Sequence, residues 1–187
     1  MLYHFGVYTE MTLDRIDDRF IEKWSCKFNA GARGEERYLQ IISKVNAEIR
    51  NKGNLSKRTF IEIIDWKSPR VRPIFEKGDY RTYKKGITRS LMESDDDKLP
   101  TLMELRGIGA PIGSAILHFI YPDRFPVMDI RTCEALYHLG YIQSKARDEK
   151  RYPAFRKAIL GIQQRHGRWS LRQIDKALFA YHKLELS

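Results

Sequence analysis

Leu105-Arg106-Gly107-Ile108-Gly109-Ala110-Pro111 is the stretch on which the reading of this chain turns. Two glycines separated by one apolar residue reverse the chain tightly. With no Cβ in the way, their backbone N–H groups can come right up to a phosphate. Upstream, Pro100 suits the first turn of a short helix that Leu102 and Leu105 seat on a core. Downstream, Pro111 opens a second helix with Ile112, Ala115, Ile116, Phe119 and Ile120 on one face. Ile108 plugs the apolar gap between the two helices, and Gly113 and Ser114 let them approach closely. A bare GxG marks only a turn. Between two short apolar helices, each opened by proline, it predicts a helix–hairpin–helix element over residues 99–121. A carboxylate, Asp129, follows twenty residues beyond Gly109.

Working outward, the chain reads as helix almost throughout, which predicts an all-α fold in a single unit, 1–187. Thr12 to about Phe28 carries Leu13, Ile16, Phe20, Ile21 and Trp24 in one stripe, broken by the glycine-containing stretch 29–34. Glu35 to Arg50 turns Leu39, Ile42, Val45 and Ile49 inward, with Lys52-Gly53-Asn54 as its stop. Ser56 caps a helix from Lys57 to Trp66 that Pro69 interrupts. A further helix, about Asp79 to Glu93, runs into the acidic turn Ser94–Asp97. Later helices are expected over 99–106, 111–121, 130–139, 150–166 and 170–184, the last capped by Ser170. Strand alternation, internal repeats and low-complexity linkers are not apparent.

Composition narrows the function classes. Lys and Arg outnumber Asp and Glu by 34 to 24, a net charge of +10 that favours a polyanionic partner over ordinary solubility charge. The two cysteines, Cys26 and Cys133, are far apart, which excludes a four-cysteine iron–sulfur cluster and argues against a disulfide framework. His4, His118, His138, His166 and His182 show no metal-ligand spacing, so no protein-bound metal is expected. The N-terminal residues lack a secretory pattern, and no apolar run is long enough to span a bilayer. A cytoplasmic protein is expected, nucleoid-associated if bacterial, without a membrane partner and with nothing demanding more than a monomer.

Leu105 to Gly109, then Ala115-Ile116-Leu117, then Val127-Met128-Asp129 together resemble the helix–hairpin–helix DNA glycosylase superfamily. Pro126 to Thr132, with Leu136 to Gly140, resembles the tract around that family's catalytic aspartate. The likeness covers about residues 99–140, under a quarter of the chain, and the flanks match only in being helical. It implies a two-lobed helical fold with a double-stranded DNA cleft between the lobes. One lobe would comprise about 1–55 plus 141–187, the other about 56–140. Arg106, Gly107, Ile108, Gly109 and Ala110 would hold the DNA backbone, with a monovalent cation on nearby carbonyls. The target nucleotide would be flipped into a pocket, where Asp129 would stabilise the oxocarbenium-like sugar or orient water. No other cofactor is implied.

The departures are informative. Arg106 stands where the family usually has proline. Pro111 stands where bifunctional members carry a Schiff-base lysine, so the resemblance points to a monofunctional enzyme that leaves an abasic site. The family's usual histidine after the aspartate is replaced, which makes Arg131 a candidate for phosphate or base contact. Asp129 itself has two readings, a catalytic carboxylate and a plain N-cap for a helix beginning at Ile130, and a cap position is compatible with both.

Other residues are read with their alternatives. Lys67, Arg70 and Arg72 form either a basic DNA-facing edge anchored by Trp66 or a solvated loop. Tyr80 to Lys85 interleaves aromatics with cations, as either a stacking platform or ordinary helix packing. Tyr3, His4, Phe5 and Tyr8 either line a pocket or dock on the core, and Arg147–Arg151 and Arg165–Arg168 are expected to face solvent. Two rival functions stay open: a DNA-binding protein that keeps the hairpin without the chemistry, and a glycosylase acting on hypermodified phage bases in antiviral defence.

Overall fold

A computed structural model describes residues 14–29 and 34–187, and among them the chain is helical with no strand. Ten α-helices follow one another among the described residues: α1 (Asp18–Cys26), α2 (Glu35–Lys52), α3 (Lys57–Lys67), α4 (Arg72–Lys77), α5 (Tyr80–Met92), α6 (Lys98–Met103), α7 (Ala110–Ile120), α8 (Ile130–His138), α9 (Tyr152–Arg165) and α10 (Leu171–Tyr181). Local chemistry accounts for most of their boundaries. Ser56, Asp79, Asp129 and Ser170 cap α3, α5, α8 and α10 by accepting backbone N–H bonds from the first turn. Gly53 ends α2 in the left-handed conformation at φ 63°. No helix among the described residues is long and apolar enough to cross a membrane.

Besides Leu39, which is exposed while Tyr38, Ile41 and Val45 form the buried face of α2, two expectations need correcting. Among the described residues the first helix begins at Asp18 and does not extend back through 14–17 towards Thr12, because the Asp17 side chain caps it, accepting from Phe20 N at 2.7 Å. Residues 12 and 13 lie outside the described residues, as do Tyr3, His4, Phe5 and Tyr8. Asp14 is held out of the helix by Arg165 Nε and His166 Nε2, each at 2.9 Å, and by the Tyr141 hydroxyl. Arg165 makes this pair while its side chain stays exposed.

The second correction concerns the stretch after Trp66, which is not a plain solvated loop. Pro69–Val71 makes one 3₁₀ turn and α4 follows directly, with a proline near the start of each. This segment buries Phe75 against the rings of Phe60 and Tyr83, at centroid distances of 5.6 and 5.5 Å.

Contacts sort the helices into two packed groups. α2 lies on α3 and α7, α3 also packs on α4 and α7, and α6 bridges α5 and α7. α10 packs on α1, α8 and α9. The grouping departs at two helices from a division into 1–55 plus 141–187 against 56–140: α2 sides with α3 and α7, and α8 sides with α10. The buried apolar side chains nevertheless form one cluster, from Ile16 to Ala180.

His118 on α7 stitches this core together. Phe125 carbonyl can only accept, so His118 Nδ1 donates to it at 2.8 Å, and Nε2 accepts from the Tyr38 hydroxyl at 2.9 Å. Burial is the main reason its pKa falls from 6.5 to about 4, with the nearby cations Arg172 and Lys67 adding to the effect. The unfolded chain therefore takes up this proton near pH 6.5 and the folded one only near 4, so the contribution is present above 6.5 and is lost as pH falls towards 4. A loss of roughly 3 kcal/mol is expected over that window. Denaturant unfolding at stepped pH measures it. His118→Asn, whose amide preserves a donor to the Phe125 carbonyl, is expected to flatten the slope.

Candidate functional site

The hairpin forms as its glycines demand. Gly107 sits at φ +84°, where a side chain is strained, and a Cβ there would stand 3.2 Å from the Phe75 ring. Gly109 serves as the N-cap of α7 in an extended conformation. Gly107, Gly109 and Arg106 are exposed, while Ile108 and Ala110 are buried between α6 and α7. Gly113 lets α6 close in, since a Cβ would meet Leu99 Cδ1 at 2.5 Å. Tyr83 supports the turn from beneath, its hydroxyl donating to the Arg106 carbonyl at 3.0 Å. That bond, with the 5.3 Å stacking of Tyr83 on Phe60, settles the role of this tyrosine as packing rather than base stacking. The hairpin carbonyls of Leu105, Arg106 and Gly109 each already accept a hydrogen bond within the chain. A monovalent ion there would share those oxygens, and no step below is routed through one.

Asp129 is fixed by a capping box on α8. Its Oδ1 accepts from Thr132 N at 2.9 Å, while Thr132 Oγ1 accepts from Asp129 N at 3.2 Å. Ser114 then ties this end to the hairpin's own helix: its Oγ accepts from Met128 N at 2.9 Å and donates to the Pro111 carbonyl at 3.2 Å. Asp129 is thereby anchored one residue away from a bond to α7.

The second carboxylate oxygen, Oδ2, lies 3.6 Å from Lys67 Nζ, and the Lys67 side chain is only 6% exposed. Lys67 is the last residue of α3, where the helix dipole favours a cation. The structure thus draws Lys67 away from an open basic edge and into the company of Asp129, whereas Arg70 stays exposed. Arg131 is half-buried and turns to the C-terminal segment. It lies over the Phe179 ring at 5.0 Å, with Nη1 3.4 Å from both His182 Nδ1 and Ser187 Oγ.

Lys67 and Asp129 line a small pocket, with a cavity volume of about 20 Å³, together with Phe28, Trp66, Val127, Arg172, Asp175 and Phe179. α3 supplies one side and α8 and α10 the other, so the pocket opens where the two helix groups meet. The Arg172 guanidinium is caged by Phe28, Tyr38 and Trp66 at 4.9, 4.7 and 5.4 Å, and its Nη1 donates to Asp175 Oδ2 at 2.8 Å. Burial pushes the Asp175 pKa up; Arg172 pulls it back and the Asp129 charge adds to the rise, leaving it raised on balance. One turn into α8, burial and then Asp129 push the Cys133 thiol up to about 12. The site therefore holds a rigid carboxylate, an ammonium, a planar cation and a second, buried carboxyl group paired with that cation. Among the described residues, no group of three or more His, Cys, Asp or Glu could hold a metal ion.

Arg172 and Asp175 escape a reading of periodicity, yet one signal exists. Leu171, Ile174 and Leu178 set the buried stripe of α10, and Asp175, four residues after Leu171, falls on it. A charge on such a stripe requires a partner, and Arg172 is three residues away.

Protein-family models, curated proteins and solved structures offer no match to this chain.

The Ser114 bond is testable by itself. Ser114→Ala strands the buried Met128 N–H and is expected to lower stability by about 1–3 kcal/mol, read by denaturant unfolding. A change under about 0.5 kcal/mol, within the range of ordinary surface substitutions, would show that the hydroxyl does not hold Asp129 against α7.

Proposed function

We propose that this chain is a monofunctional DNA glycosylase that flips a damaged or modified base out of the duplex and hydrolyses its N-glycosidic bond. The observation carrying this reading is that Asp129, at the N-cap of α8 and twenty residues past the hairpin, lines a pocket at the junction of the two helix groups. An N-cap carboxylate points off the helix end, and one of its oxygens is committed to Thr132, so its orientation needs little rearrangement when substrate arrives.

In this reading the exposed amides of Gly107 and Gly109, with Arg106 and Arg70, grip phosphates on the face between the two groups, which act as the lobes of a DNA cleft. The extruded nucleotide then presents its C1′ to Asp129. As the C1′–N bond breaks, its electron pair leaves with the base, which takes up a proton. The sugar gains positive charge shared between C1′ and its ring oxygen, and the Asp129 carboxylate stabilises that charge. Water adds to C1′ and loses a proton, leaving an abasic site. Lys67 orients Asp129 through their ion pair.

The test is release of free base from duplexes carrying alkylated, oxidised, deaminated or glucosylated bases, scored as alkali-labile sites. Asp129→Asn is the control, because asparagine caps a helix as well as aspartate does but carries no charge. A loss of at least about a hundredfold is expected, with thermal stability nearly kept and no borohydride-trapped adduct on Lys67. Equal release by both proteins overturns the mechanism. Salt-sensitive duplex binding without any alkali-labile site assigns a binding role instead.

A further inference from the structure

The cations around the hairpin divide into two kinds. Arg72, Arg81 and Arg89 are neutralised by carboxylates: Arg72 Nε lies 2.7 Å from Glu76 Oε1, Arg81 Nε lies 3.6 Å from Asp79 Oδ1, and Arg89 pairs with Glu104. Arg70, Lys77 and Arg106 are exposed, and among the described residues no carboxylate comes within ion-pair distance of them. A surplus of positive charge is left there for a partner outside the chain.

Packing sets two of these cations beside the hairpin glycines. A Cβ on Gly107 would stand 3.2 Å from Phe75 Cζ and 3.4 Å from Ile74 Cγ2, so α4 touches the turn through both side chains. Phe75 is the buried foot of this contact, whereas Ile74 is 47% exposed. Val71 and Arg72 keep right-handed helical angles, so the turn Pro69–Val71 runs on into α4 without a break. Residues 70, 74 and 77, spaced four and three apart, then share one face of that run. The face reads cation, apolar, cation. It borders the exposed Gly107, whose N–H, like that of Gly109, has no acceptor within the chain among the described residues.

A single exposed isoleucine is ordinary on a protein surface. One set between two unpaired cations and against a glycine turn suits a polymer that alternates charges with apolar rings, as phosphates alternate with deoxyribose. Seven residues of helix rise about 10 Å, roughly three phosphate steps along one strand of a duplex. Arg70 and Lys77 therefore reach different phosphates. We infer that the outer face of residues 69–77 is a second duplex-contact strip beside the hairpin: Arg70 and Lys77 each neutralise a backbone phosphate, and Ile74 covers the sugars between them. This rests on duplex DNA being the partner, as in the reading above, and not on base excision. It adds Ile74 and Lys77 to the contact residues and commits Arg70 to the same strand.

Fluorescence anisotropy of a short labelled duplex at stepped potassium chloride concentrations tests it. Each phosphate contact contributes about 0.9 to the slope of log Kd against log salt, so Arg70→Gln and Lys77→Gln should each lower the slope by about that much. Ile74→Ala removes apolar area and no charge; it is expected to weaken binding about three- to fivefold with the slope unchanged. Lys157→Gln, at an exposed cation on α9 in the other helix group, is the control and should bind as the wild type does. Slopes for Arg70→Gln and Lys77→Gln equal to that of the control overturn the inference, and continued base release would then leave the glycosylase reading standing. Lowered slopes without base release from any substrate keep the strip and remove the chemistry. A wild-type chain with no salt-sensitive affinity for duplex removes both.

Discussion

Arg172 carries its charge into the interior, and the helices around it are arranged to make that tolerable. Its ring cage draws on the segment after α1, on α2 and on α3, while its anionic partners sit on α10 itself and at the start of α2. Removing a guanidinium from water costs several kcal/mol, offset only where charge and packing partners are all in place. The four elements must therefore dock together, because a shift of α10 against α2 and α3 would strand the cation. That constraint positions Trp66 and Lys67 opposite Asp175 and creates the pocket between them. A charge that brings little net stability thus dictates geometry.

The same logic of double duty applies to Asp129. Structural and chemical roles are divided between its two oxygens, one closing the capping box of α8 and the other lying near Lys67. A carboxylate held by its own helix and, through Met128 and Ser114, by α7 has little freedom to reorient. The N-cap explanation and the catalytic one are therefore not rivals: the first supplies the rigidity that the second requires.

Much of this arrangement is legible in the residues, and what is not has a physical reason. Caps at Ser56, Asp129 and Ser170 and the hairpin at 105–111 follow from local chemistry, and the structure places them where side-chain type and spacing put them. Residues 69–77 read as loop because two prolines and several cations obscure the single apolar anchor, Phe75, whose burial depends on Phe60 and Tyr83 from other helices. Lys67 looks like the start of a basic edge because its sequence neighbours are basic; its burial reflects the approach of α8, which local sequence does not encode. Arg172 and Asp175 are concealed for the same reason. Charges on a buried stripe reveal that a partner exists, but the cage around Arg172 is assembled from residues more than a hundred positions away.

The contrast between the two cysteines has a practical consequence. Cys133 is buried, its sulfur kept protonated by its surroundings, whereas Cys26 is exposed at the end of α1. Maleimide or iodoacetamide reagents attack the thiolate and so should modify Cys26 almost exclusively in the native protein. Two residues further on is Phe28, a wall of the pocket. The wild-type chain therefore provides a natural attachment point for an optical reporter beside the pocket, with no engineered cysteine needed.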